Sequence, residues 1–161
     1  MTIEPGKAPD VTLKSVVSGR ALNLRKAGAP LVLIFASQAT TELASTFRTA
    51  LRERHPDPAK LIIASVVDLH AVPRLMRKMG ETVLSARYKE VAGRLAPGQE
   101  PRDYIVMLPD WKGAVAPALG LEDLQDQLGV AVIAADGSVA GVHSGAEPLN
   151  AVIGLLEGAG V

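Results

Sequence analysis

The sequence predicts an α/β sandwich around a mixed, partly parallel central sheet, and three features carry that prediction. Residues 31–36 and 61–67 are continuous apolar runs with β-branched members, the pattern of strands covered on both faces. Each run is followed by apolar residues at helical spacing, the alternation that joins parallel strands in α/β domains. Near the C-terminus, residues 130–134 and 139–143 flank Asp136-Gly137, a pair suited to the positive φ angles of a tight hairpin, so antiparallel strands complete one side of the sheet.

Taken in order, residues 11–16 and 21–24 alternate in part around Ser18-Gly19 and predict a short N-terminal hairpin. After the 31–36 strand, Leu43, Phe47, Ala50 and Leu51 mark one face of a helix over 40–54, which His55-Pro56-Asp57-Pro58 ends. Residues 61–67 form the second buried strand. Residues 72–95 read as one or two helices interrupted near Gly80, closed by Ala96-Pro97-Gly98. A short strand over 104–108, a turn over 109–112 and a short helix over 114–121, despite Pro117, lead into the hairpin. Glu147-Pro148 opens a last helix with Leu149, Val152, Ile153 and Leu156 on its inner face and Gly158 beyond its end.

A chain of 161 residues is most simply one domain, large enough to bury a core without disulfides or a structural metal. With five aromatics among 161 residues, that core must be mostly Val, Leu, Ile and Ala. Lys plus Arg equals Asp plus Glu at 17 each, so no overall field gathers nucleic acid or an anionic membrane, and neither is expected as a partner. The charges are divided, however: residues 1–102 hold 16 basic against 9 acidic side chains, whereas residues 103–161 hold Lys112 against eight acids. Pairing across one globule is the simpler account, and attraction between two copies is the sharper one.

The fifteen uncharged residues between Lys26 and Glu42 are too few for a spanning helix of roughly 18 or more. The opening MTIEPGKAPD has no basic n-region or apolar h-region, so a cytoplasmic location is expected, or a periplasmic one if a signal has been removed.

Four segments in fixed order resemble the thioredoxin-like superfamily, in particular its peroxiredoxin and TlpA-type branches. Residues 6–13 (GKAPDVTL) are similar to the opening G-x-x-A-P-D-F-T-L, and residues 35–38 (FASQ) to F-A-S-W. Residues 109–121 (PDWKGAVAPALGL) resemble P-D-G-x-V-A-x-x-Y-G-V, and residues 132–139 (VIAADGSV) resemble F-L-I-D-x-D-G-x-I. The resemblance implies a three-layer sandwich over residues 1–161 with helices on both faces of the sheet. It makes residues 1–28 an N-terminal extension with the hairpin, and residues 70–103 a helical insertion.

At the position of the family's C-x-x-C this chain reads Ala39-Thr40-Thr41-Glu42, and no cysteine occurs among its 161 residues. The resemblance therefore implies a scaffold without its nucleophile, because thiol exchange and peroxide reduction in that superfamily proceed through a thiolate. A group of bacterial thioredoxin-like proteins of the YtfJ type resembles the chain in lacking the pair at this helix start, although those proteins carry export signals. The family's cis-proline position falls on Leu128, counting back from Asp136. A non-proline cis bond costs about 2.5–4 kcal/mol, so a trans peptide is expected there.

The vacated thiol site thus comprises Ser37, Gln38, Ala39, Thr40, Thr41, Glu42 and Leu128 as a candidate ligand pocket. Two readings of its first residues stand side by side. Glu42, with Ser37, Gln38, Thr40 and Thr41, lines a pocket for a small polar ligand or acid–base work. Alternatively, Ser37 or Thr40 caps the helix, worth about 0.5–2 kcal/mol, and Glu42 complements its dipole, worth about 0.3–1 kcal/mol.

His55, His70 and His143 are widely separated, so no metal site and no cofactor is expected; His70, just after a strand and near Asp68, is the best placed of the three. Ser15, Ser18, Ser37 and Ser65 lie in no G-x-S-x-G, and there is no P-loop or G-x-G-x-x-G. The basic stretch 72–94 contains six Lys or Arg but only Tyr88 as a stacking aromatic, a solvated helix face rather than a nucleic-acid groove. The expectation is a redox-inactive thioredoxin-like binding or regulatory module, its partner itself or another protein. The rival is an enzyme rebuilt around Glu42.

Overall fold

The computed structural model describes residues 6–161; residues 1–5, which enter the reading of the N-terminus for an export signal, lie outside them. Strands β1 (Thr12–Lys14) and β2 (Ala21–Asn23) form the N-terminal hairpin. Then follow β3 (Leu31–Phe35), α1 (Thr41–Arg54), β4 (Ile62–Asp68), α2 (Arg77–Ala92), the four-residue helix α3 (Pro101–Tyr104) and β5 (Val106–Asp110). A short helix α4 (Val115–Ala118), strands β6 (Leu128–Ile133) and β7 (Val139–Gly145), and α5 (Pro148–Gly158) complete the chain.

The five-stranded sheet has the order β5-β4-β3-β6-β7, so the fully buried run Leu31–Phe35 is its centre. Strand β3 runs parallel to β4, with Leu31 opposite Ile62, and antiparallel to β6, with Leu33 opposite Ala131. Strand β5 joins β4 in parallel, and β7 pairs β6 antiparallel across the Asp136-Gly137 turn. The edge at β5 is partly occupied: Val16 N–H donates to the Met107 carbonyl at 3.0 Å and Met107 N–H to Ser15 Oγ at 3.1 Å. The hairpin thus docks on a strand edge that would otherwise present unpaired backbone.

Alternation along β3 sends its side chains to two faces. Val32 and Ile34 meet Phe47 and Leu51 of α1 and Val152 and Leu156 of α5. Leu31, Leu33 and Phe35 pack on the opposite face with Leu22 and Leu24 of the hairpin segment and Val115 of α4. A third, smaller cluster of Tyr88, Ile105 and Met107 seats α2 beside β5. Helices therefore cover both faces, as expected, with the larger ones on the α1 side.

Several boundaries differ from the sequence-based expectation. Helix α2 runs unbroken through Gly80, after a 3-10 turn at Arg74–Met76. Gly80 does not break it because the ladder of backbone hydrogen bonds needs no side chain; the Trp111 ring covers the spot, and a Cβ built there would stand 3.6 Å from it. Pro109 and Asp110 extend β5 rather than turning the chain, which an edge strand tolerates because proline's missing N–H faces away from the partner. Tyr104 ends α3 instead of opening β5, and Gly158 closes α5 from inside. The expected helix over 114–121 shrinks to four residues, Val115–Ala118, with Pro117 inside it.

Candidate functional site

Past the end of the central strand the chain turns through Gln38–Thr40, a single 3-10 turn, straight into α1, so Ala39 and Glu42 flank the point where the helix opens. Local hydrogen bonds dictate that turn. Ser37 N–H donates to Thr40 Oγ1 at 2.9 Å, Thr40 N–H to the Ser37 carbonyl at 3.2 Å, and the Thr41 hydroxyl to the same carbonyl at 3.0 Å. Buried Thr40 is thus the residue that closes the helix start. The Ser37 hydroxyl instead donates to the Gln125 carbonyl at 2.6 Å, tying the loop before β6 to the site.

The residues that the resemblance assigns to the thiol site part company here. Ser37, Gln38 and Thr41 line a cavity of about 400 Å³, whereas Ala39, Thr40 and Glu42 do not. Ala39 and Glu42 face solvent, and Glu42 has no hydrogen-bond or ion-pair partner among the described residues. Leu128 is fully buried in the core under α1 and α5, and no cis peptide bond occurs among the described residues. Asp68 and His70 form an exposed pair, Nδ1 to Oδ1 2.7 Å, that is not part of the cavity lining. Among the described residues no three His, Cys, Asp or Glu side chains gather as a metal set.

The cavity lies on the α1 side of the sheet, between α1 and α2. Ile34, Ile63 and Val67 form its sheet side, and Ala44 of α1 faces Val83 and Leu84 of α2. Tyr104, Ile105 and Met107 line it from the β5 side. Such a mostly apolar hollow with a few convergent polar groups has the composition and size of a small-molecule site, which typically falls at about 300–1,000 Å³. Its polar groups are Ser37, Gln38 and Thr41 at the helix start, then Arg48, Ser65 and Arg87.

Arg48 sits on the inward face of α1, one turn after Ala44. Its Nη2 donates to Ser65 Oγ at 2.6 Å, and that is its sole hydrogen bond among the described residues. No acidic residue lines the cavity, and neither Arg48 nor Arg87 has an ion-pair partner among the described residues. Burial, with the nearby Arg87 charge adding to it, pulls the Arg48 guanidinium pKa below its usual value. Arg48, Ser65 and Arg87 were not singled out as a site from the sequence. The signal available for Arg48 was its position four residues after Ala44, on the stripe that also holds Phe47 and Leu51.

The site thus sits where a central strand hands over to a helix, and the strand order and helix placement around it match solved structures over nearly the whole chain. The chain has the thioredoxin-like fold. It is similar to the exposed lipoprotein thioredoxin Etrx1 from Streptococcus pneumoniae strain TIGR4, at 20% identity and TM-score 0.60, covering 92% of this chain and 98% of that one. A thioredoxin-like protein from Aeropyrum pernix matches at 12% identity and TM-score 0.60 over 92% and 89% of the two chains. StoA from Bacillus subtilis matches at 10% identity and TM-score 0.56 over 92% and 98%. No family model matches the sequence, and no curated protein matches it. This thioredoxin-like fold carries no sulfur nucleophile in its 161 residues, and none of its described helices is long and apolar enough to cross a membrane.

Proposed function

We propose that this protein is a redox-inactive thioredoxin-like binding module whose recognition site is the cavity between α1 and α2. The observation that carries the reading is the cavity itself: Ser37, Gln38 and Thr41, at the helix start that the resemblance aligns with the thiol turn, line it together with mostly apolar side chains. A fold that presents a substrate groove beside a thiol retains a recognition surface when the thiol is replaced by Ala39. The rival enzyme built around Glu42 gains no support, since Glu42 is exposed and has no second titratable group within hydrogen-bond reach among the described residues.

The test uses a neutral apolar probe and a blocked cavity. Val83, 63% exposed at the α2 rim, is replaced by Trp to fill the opening. Saturation-transfer NMR should show 1-octanol binding to the native chain and at least tenfold weaker binding to Val83→Trp, with both proteins folded by circular dichroism. Equal binding by the two proteins, or none by either, would contradict the reading. Disulfide-reductase or peroxidase turnover by the purified chain would contradict the redox-inactive part.

A protein partner is a second reading that one observation favours. Leu75, Met79 and Val83 recur every fourth residue over the 3-10 turn and α2, and are 98%, 61% and 63% exposed, among the basic residues Arg74, Arg77 and Lys78. Residues 103–161 carry an excess of acidic side chains, opposite in sign to this surface, which makes a second copy the fitting partner. Sedimentation equilibrium should then show a salt-sensitive dimer that Leu75→Glu disperses; a monomer at all concentrations rejects it.

A further inference from the structure

Resting on the binding reading above, we infer that the cavity takes a small organic anion with an apolar body, its carboxylate held between Arg48 and Arg87 and its chain lying among the aliphatic side chains of β3, β4 and α2. The charges around the hollow call for an anion. Two guanidinium groups border one hollow, no carboxylate lines it, and neither arginine has an ion-pair partner among the described residues. Two like charges brought together with one of them partly desolvated is a costly arrangement that an anion between them relieves.

The donors left on Arg48 suit a carboxylate. Ser65 Oγ accepts from Nη2 of Arg48 and so fixes the guanidinium plane from the sheet side. A guanidinium has five N–H donors, and one is used, so the rest remain for a carboxylate, whose two oxygens match that fork. Burial that lowers the Arg48 pKa works in the same direction, because a bound anion would offset it.

The size and walls of the hollow narrow the occupant further. The hollow holds about 400 Å³ and is walled by Ile34, Ile63, Val67, Val83 and Leu84, so inorganic phosphate or acetate would leave most of its apolar surface uncovered. An extended peptide would ordinarily add to the exposed strand edge at β5, but Ser15 and Val16 already bond Met107 there. A compact amphiphile of medium chain length satisfies both the cations and the apolar wall.

The experiment is a set of titrations followed by calorimetry and amide NMR. Octanoate should bind at least tenfold more tightly than 1-octanol, while octylamine, acetate and inorganic phosphate should bind at least a hundredfold more weakly than octanoate. From hexanoate to octanoate, affinity should rise about fourfold per added methylene, the increment of burying each CH2. Arg48→Met should weaken octanoate at least tenfold more than it weakens 1-octanol. Arg87→Gln, on the exposed face of α2, should cost octanoate about threefold and serves if Arg48→Met fails to fold.

Octanol binding as tightly as octanoate would overturn the anion assignment while leaving the binding-module reading in place. Failure of every apolar probe would overturn both. Phosphate or acetate matching octanoate would replace the amphiphile by a simple anion site, and an acetylated dileucine with a free C-terminus outcompeting octanoate would replace the small molecule by a peptide.

Discussion

Arg48 Nη2 stands 2.6 Å from Ser65 Oγ, a bond between the inward face of α1 and the middle of β4 that spans the wall of the cavity. It is the one side-chain hydrogen bond between these two elements among the described residues, and it orients a cation that no acid neutralises. Ser65→Ala should therefore lower the unfolding free energy by about 1–2 kcal/mol, the scale of a hydrogen bond to a charged group with some solvent access. Urea denaturation measures this, and an unchanged midpoint would show that the arginine is held by packing alone.

The helix start supplies a second expectation. Thr40 is buried and its hydroxyl accepts from Ser37 N–H, so Thr40→Ala should cost about 0.5–2 kcal/mol. Glu42→Gln, at an exposed first-turn position, should cost no more than about 1 kcal/mol and leave the affinity for octanoate or 1-octanol unchanged. Thermal melts of the two variants separate a structural carboxylate from a working one: loss of ligand affinity in Glu42→Gln would restore the acid–base reading.

Two glycines should respond with opposite sign. Gly80 lies inside α2 with ordinary space for a Cβ against Trp111, so Gly80→Ala should stabilise by about 0.5–1 kcal/mol. Gly137, at φ +88°, turns the β6–β7 hairpin against the Arg25 backbone, and a Cβ there would overlap the Arg25 carbonyl oxygen. Gly137→Ala should destabilise by more than about 1 kcal/mol. Chemical denaturation of both variants decides the matter, and a stabilised Gly137→Ala would reject the hairpin geometry.

These cases show where the sequence was informative. Gly137 announced its hairpin because few residues besides glycine accept its φ of +88°, although Asp136 needs no such angle, and the buried runs at β3 and β4 announced the centre of the sheet. Pro109 misled because a proline reads as a turn until the strand is known to lie at an edge. The cavity was not legible: Ser65 and Arg48 are seventeen residues apart and meet through the packing of a helix on a sheet. Sequence likeness drew attention to Ala39 and Glu42, the positions the resemblance aligns with the thiols, whereas the cavity is lined by their neighbours Ser37, Gln38 and Thr41 and reaches Arg48 further along the helix.

Two carboxylates contribute to the acid limb of stability. The hydrogen bond from Asn23 to Asp10 and those from Ser138 to Asp136 hold both carboxyl pKa values below their ordinary range. A folded-state pKa below the unfolded one gives stability that is present above about pH 4 and lost as pH falls through the depressed values. The double variant Asp10→Asn, Asp136→Asn should therefore show a flatter decline in melting temperature below about pH 4 than the native chain. Parallel curves would assign the acid sensitivity to other groups.

An amide NMR map of the protein saturated with octanoate tests the central claim, that recognition occurs in the hollow between α1 and α2. The largest shifts should fall on Ser37, Thr41, Arg48, Ser65 and Val83, with Glu42 and His70 unmoved. Shifts centred on Glu42 or on the Asp68–His70 pair, with the cavity residues silent, would contradict it.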